Sequence, residues 1–105
     1  MQNVFFLFVL HQKMAGHRLV ALFVHHPENE SSRCAFRSIT EANFLDDNVT
    51  VFIADVSQVP DVQVSYKVES VPALIFFENG KLSNMLRGCH ESDYLKAIMN
   101  NFIQK

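Results

Sequence analysis

Apolar residues fall in short, dense blocks along the chain, separated by polar stretches and turn residues. The first block, Val4-Phe5-Phe6-Leu7-Phe8-Val9-Leu10, sits in a segment from about Asn3 to Met14 that is apolar on every side. Periodicity cannot separate helix from strand there; length predicts a helix, and Ala15-Gly16 a stop. Leu19-Val20-Ala21-Leu22-Phe23-Val24 is a continuous apolar run of strand length, the pattern of a strand covered on both faces. His25-His26-Pro27-Glu28-Asn29-Glu30-Ser31-Ser32 is polar and carries proline, so it predicts a loop whose serines cap the next helix. Ala35, Ile39, Ala42 and Leu45 then recur at helical spacing, predicting an amphipathic helix from Ser32 to Leu45. Val49 to Ala54 is a second buried strand, and Gln58-Val59-Pro60-Asp61 opens a short helix to about Tyr66. Ala73-Leu74-Ile75-Phe76-Phe77 is a third strand. Glu78-Asn79-Gly80-Lys81 has the Asn-Gly signature of a hairpin, so Leu82 to Arg87 pairs back antiparallel. Gly88 ends that strand, and Glu91 to Ile103 is a last helix with Tyr94, Leu95, Ile98 and Phe102 on one face.

Strands alternating with helices predict an α/β fold with a parallel core, to which the hairpin adds an antiparallel edge. The expected architecture is a central mixed β-sheet flanked by helices on both faces. A length of 105 residues, 49% of them hydrophobic, predicts one domain over 1–105 with a modest core and excludes disorder. A net charge of -2 leaves no basic field to hold nucleic acid or anionic membrane, so neither is expected as a partner. The opening apolar run is far short of the roughly 20 residues that span a bilayer. Met1-Gln2-Asn3 lacks the positive charge of a secretory signal, and Ala15-Gly16 is at best a weak cleavage site. The run is therefore expected to be core, and the chain cytoplasmic. Asn29-Glu30-Ser31 and Asn48-Val49-Thr50 have the form of glycosylation acceptors and are read as inert.

The later motifs carry a resemblance. Val71-Pro72-Ala73-Leu74-Ile75-Phe76-Phe77-Glu78-Asn79-Gly80-Lys81 resembles the V-P-T-x-x-x-F-x-x-G-K stretch of the thioredoxin family, in which the proline bond is cis. Asp55-Val56-Ser57-Gln58-Val59-Pro60-Asp61-Val62 is similar to that family's D-V-D-x-x-P-x-L, with Tyr66 and Gly88 at the family's usual positions. The resemblance spans about Val4 to Ile103 and implies the thioredoxin fold. Val51 to Gly88 also resembles the thioredoxin-like domain that precedes monothiol glutaredoxin domains.

The departure falls where the family keeps its chemistry. Laying Phe23 on the family's strand-ending phenylalanine places Glu28-Asn29-Glu30-Ser31 on its C-G-P-C motif. Glu28 then precedes Pro72 by 72 - 28 = 44 positions, about the family's own interval. The family's buried acid falls on Leu22. Dithiol exchange needs a thiolate with a lowered pKa and a second thiol to resolve the mixed disulfide, and neither Glu28 nor Ser31 can be one. Ser31 has no oriented base to make it a nucleophile. Glu28 and Glu30 instead complement the helix dipole. The site reads as degenerate, with no catalytic residue, metal or cofactor, and the chain leans away from being an enzyme.

Two cysteines remain. Cys34 is expected to be a small residue facing the sheet, while Cys89 borders the implied substrate groove and is the better candidate for an accessible thiol. His25 and His26 with Glu28, Glu30, Cys89 and His90 lack metal-ligand spacing, so no metal site is expected. The resemblance implies a groove formed by Pro27, Val71, Pro72, Ala73, Gly88, Cys89 and His90, where Val71 could pair its backbone with an extended peptide or another protein. Glu28 and Glu30 would bias that partner toward basic sequences. The expected function is therefore a redox-inactive protein-binding domain; the alternative is a monothiol oxidoreductase using Cys89 or Cys34. Phe5, Phe6 and Phe8 are expected mainly in the core, with some surface left over for a partner.

Overall fold

The structure is a computed structural model that describes residues 2–42 and 49–104. Its elements are β1 (Gln2–Val4), α1 (Leu7–Met14), β2 (Leu19–His25), α2 (Glu30–Ala42), β3 (Val49–Asp55), α3 (Pro60–Ser65), β4 (Ala73–Glu78), β5 (Lys81–Arg87) and α4 (Ser92–Ile103). Among the described residues the strands form one five-stranded sheet in the order β1-β3-β2-β4-β5.

The N-terminal segment corrects the expectation of one long helix. Gln2–Val4 pairs parallel with β3, setting Val4 against Ala54, before extended Phe6 hands the chain to α1. Pairing there satisfies the backbone groups that β3 would otherwise leave open on its outer edge. No polar residue marks the change from strand to helix, which is why period and length read through it.

Helix length sets the direction of each strand. At 13 residues, α2 covers about 20 Å and returns the chain along a seven-residue strand, so β3 lies parallel to β2 from Leu19↔Val49 to His25↔Asp55. At six residues α3 spans only about 9 Å and cannot make that return. The chain therefore re-enters the sheet at the end where it left, and β4 runs antiparallel to β2, from Val24↔Ala73 to Leu19↔Glu78. The core is thus mixed at its centre, and the expectation of a parallel core with antiparallel pairing only at the edge is corrected. The hairpin between β4 and β5 turns through Asn79 (φ 52°) and Gly80 (φ 81°), the left-handed pair that two-residue hairpin loops require.

Side chains alternate between two cores. Leu19, Ala21, Phe23, Leu74 and Phe76 face α2 and α4, where Ala35, Ile39, Leu95, Met99 and Phe102 close the layer. Val20, Leu22, Val24, Ile75 and Phe77 face the other side with Phe52, Leu10, Met14 and Val62. Tyr94, expected on the buried face of α4, is exposed, and Met99 takes that place. Leu45, expected on α2, lies outside the described residues.

Candidate functional site

Four loops meet at one end of the sheet because the register puts them there. His25 ends β2 opposite Asp55 at the end of β3, and Ala73 begins β4 opposite both Val24 and Arg87. The Gly88 N–H donates to the Pro72 carbonyl at 3.0 Å, fastening the loop after β5 to the Val71–Pro72 peptide, which is cis.

Into this end projects the start of α2. Its cap is Asn29, not a serine: the Ser32 N–H donates to Asn29 Oδ1 at 2.8 Å, the bond from the third helical position that a capping side chain accepts. Ser32 is fully buried, and its Oγ accepts from the His26 N–H at 3.2 Å. Asn29 won because the helix begins two residues earlier than the apolar spacing suggested. Glu28, Asn29, Glu30 and Ser31 are all exposed, and Leu22 is buried on β2, on the face of the sheet away from α2. Nothing at this helix start can form a thiolate.

The sulfurs are elsewhere, and joined. Cys34, on the second turn of α2, and Cys89, in the loop after β5, form a disulfide across 55 positions with their Cα atoms 5.8 Å apart. The two lone thiols expected from the sequence are therefore one bond, which corrects both readings. Neither cysteine is fully buried, and Ser38 Oγ lies 3.8 Å from Cys89 Sγ. The bond ties α2 to the same loop that Gly88 fastens to Pro72.

The expected groove divides. Pro72 and Ala73 are buried, Ala73 to 1% exposure, because β4 begins there and its first residues join the core. Their side chains offer no surface to a partner. Pro27 and Gly88 are exposed, and Val71, Cys89 and His90 are half-buried. Among the described residues, the Val71 N–H and C=O form no hydrogen bond. His90 is held by its own loop, Nε2 lying 2.8 Å from the Arg87 carbonyl and the ring packing on Tyr94.

The paired histidines are occupied locally. The Glu28 N–H donates to His26 Nδ1 at 3.2 Å, and the His25 ring stacks on Phe23 with centroids 5.0 Å apart. Burial holds His25 below its ordinary pKa, against the opposing pull of Asp55. Asp55 titrates below its ordinary value: burial would raise it, but the Ser57 hydroxyl and N–H donate to it and His25 and His26 lie nearby. Among the described residues no three His, Cys, Asp or Glu side chains group as a metal site.

A further feature of this end has no counterpart among the expected site residues beyond Pro27 and Glu30. A cleft of about 570 Å³ opens beside the helix start, lined by His25, Pro27, Glu30, Ser32, Arg33, Phe36 and Arg37. Its signal was the polar face of α2, where Arg33 and Arg37 stand one turn apart. Phe5, Phe6 and Phe8, expected mainly in the core, are 56%, 68% and 70% exposed. Among the described residues no helix is long and apolar enough to cross a membrane.

Comparison with known proteins agrees with this architecture. The family model described as thioredoxin matches residues 35–101. Thioredoxin from Plasmodium falciparum superposes with a TM-score of 0.87 at 16% identity, over 97% of this chain and 99% of that one. Thioredoxin from Malassezia sympodialis gives 0.87 at 15% identity, over 98% and 90%. Thioredoxin from Fasciola hepatica gives 0.81 at 17%, over 97% and 99%. No curated protein matches the chain in sequence. With the family match spanning residues 35–101 and the sheet and helices of that fold in place, the chain belongs to the thioredoxin family.

Proposed function

We propose that this chain is a protein-binding member of its family that takes an extended peptide along Val71 and carries out no dithiol exchange at the start of α2. The observation that carries the reading is the free backbone of half-exposed Val71, whose N–H and C=O have no partners among the described residues, with Pro27 and Gly88 exposed as well. An extended chain beside Val71 gains two backbone hydrogen bonds, each worth about 1 kcal/mol net. Because Pro72 and Ala73 are turned inward, apolar contact falls to Pro27 and Val71. The degenerate helix start supports the second half of the reading, since a carboxylate and a hydroxyl replace the two sulfurs.

Two measurements test it. An N-acetylated, C-amidated pentapeptide should perturb the Val71 amide in an NMR titration, and N-methylating alternate peptide amides should abolish the effect. In an insulin-reduction assay, Glu28→Cys with Ser31→Cys should gain turnover that the unaltered chain lacks. Turnover by the unaltered chain, at the level of the double-cysteine variant, would sink the proposal.

The disulfide favours a second reading, a thiol–disulfide oxidoreductase using Cys34 and Cys89 as its couple. A dithiol reductant would attack one sulfur, pass through a mixed disulfide and leave as its own disulfide, delivering two electrons and two protons to Cys34 and Cys89. Loss of any insulin turnover in Cys34→Ser and Cys89→Ser, with peptide binding intact, would select this reading.

A further inference from the structure

We propose that the cleft beside Pro27 makes the peptide site selective for acidic partners: it takes a carboxylate side chain between Arg33 and Arg37, with a neighbouring aromatic or aliphatic side chain against Phe36. The inference rests on the peptide-binding reading above, because Pro27 lies both in the groove and on the wall of the cleft.

Three observations converge. Arg33 and Arg37 are four positions apart on α2, so two like charges share one face, an arrangement that costs free energy in an isolated helix. Among the described residues neither guanidinium has an ion-pair partner; the pair found is Arg18 with Glu78, at the far end of the sheet. Among the described residues the one side-chain hydrogen bond of Arg33 is from Nη1 to the Glu28 carbonyl, at 3.3 Å. A carboxylate placed between the two guanidiniums relieves the repulsion and accepts charge-assisted hydrogen bonds.

The second observation is the wall. Phe36 is 40% exposed and tilts against Phe23 with centroids 6.3 Å apart, while Phe23 in turn stacks on His25. An aromatic surface held from behind in this way offers apolar contact at little entropic cost. The third is the charge balance. Among the lining residues two arginines stand with Glu30 as the one carboxylate, all three on α2, and burial lowers the His25 pKa. The cleft is thus a positive spot on a chain of net charge -2. Of the two carboxylates expected to favour basic partners, Glu30 lines the cleft and Glu28 does not.

The test uses the full chain and two N-acetylated, C-amidated peptides, Val-Val-Phe-Glu-Glu and Val-Val-Phe-Lys-Lys, titrated by NMR with Phe36 and Arg37 amides as reporters. The acidic peptide should bind about tenfold more tightly at low ionic strength, and added salt should narrow the gap. Arg33→Glu with Arg37→Glu, both surface positions, should invert the order, while Arg33→Lys with Arg37→Lys should keep its direction. Equal binding of both peptides by the unaltered chain overturns the acidic preference and leaves the Val71 platform standing. A preference that survives the double glutamate variant overturns the assignment to this cleft. Binding by neither peptide at millimolar concentration overturns the platform and this inference together.

Discussion

The sheet buries comparable apolar side chains on its two faces, yet the faces are finished differently. On one, α2 and α4, of 13 and 12 residues, lie over Phe23, Phe76 and Ile53, and the Cys34–Cys89 bond fastens α2 to the loop that leads into α4. On the other, α1 and α3, of eight and six residues, cover Phe52, Phe77 and Leu22, and the chain leading into α1 leaves Phe5 and Phe6 in water. The difference follows from patterning. A single apolar stripe, as on α2, leaves a polar face free to carry Arg33 and Arg37 to the cleft edge. A segment apolar all round must spill something outward, and the strand and helix at Gln2 to Met14 spill aromatics. The face with long amphipathic helices is the one whose rim holds the cleft and the disulfide, while Val71, the proposed peptide platform, packs against the other core.

The sharpest way to break this comparison is to remove one ring from each face. Phe76→Ala and Phe77→Ala should each cost about 3–5 kcal/mol in urea denaturation, since both rings are buried and leave a cavity. Phe8→Ser, 70% exposed, should stay within about 0.5 kcal/mol of the unaltered chain. A loss from Phe8→Ser as large as from Phe77→Ala would mean that the exposed aromatics are core after all.

Next in size is the clamp. Cys34→Ser with Cys89→Ser opens a 55-position loop and should lower stability by about 2–4 kcal/mol, mainly through the freer unfolded chain. Hydrogen exchange should localise the native-state change to Gly88 through Glu91 and the first turns of α2, leaving α1 and α3 untouched. Uniformly faster exchange on both faces would show that the bond supports the whole sheet rather than one rim.

Most of the architecture was readable from residues: strands at Leu19, Val49, Ala73 and Leu82, the Asn79-Gly80 turn, and the helical stripes of α2 and α4 all follow from local period and turn chemistry. Three features were not. β1 hid inside an apolar run because both a strand edge and a helix accept Val, Phe and Leu. The antiparallel setting of β4 depends on the reach of α3, and buried strands look alike in either direction. The disulfide joins residues 55 positions apart, a pairing that no local pattern encodes. At the site, the missing thiols were plain at Glu28 and Ser31, whereas the inward turn of Pro72 and Ala73 and the cleft under Phe36 required the packed sheet.

Helix starts offer a smaller test of the two faces. α2 is capped by Asn29, whereas Phe6 gives α1 no side-chain cap. Asn29→Ala should cost about 1 kcal/mol and fray the first turn of α2, while Phe6→Ala should leave the start of α1 no worse capped. Equal fraying of both helices, read from amide exchange, would mean the cap plays no part in positioning Glu30 and Ser32.

The smallest effect is a dependence on pH, confined to the end of the sheet where β2 and β3 stop. Burial lowers the His25 pKa from its ordinary 6.5, so the folded protein binds that proton less well than the unfolded chain does. The stability that follows is whole above pH 6.5 and declines as pH falls below it, until the folded-state pKa is reached. Asp55 acts in a separate window. Although burial opposes ionisation, the two Ser57 hydrogen bonds and the neighbouring histidines hold its pKa below 3.8, so its contribution is present above that pH and lost as pH drops through the folded value. Melting temperature against pH should therefore step down twice on acidification. His25→Gln should remove the upper step and weaken the lower, and Asp55→Asn should remove the lower and deepen the upper, because each group pulls on the other. An upper step that survives His25→Gln would place the titrating group elsewhere, outside the stack on Phe23 that forms the back of the cleft.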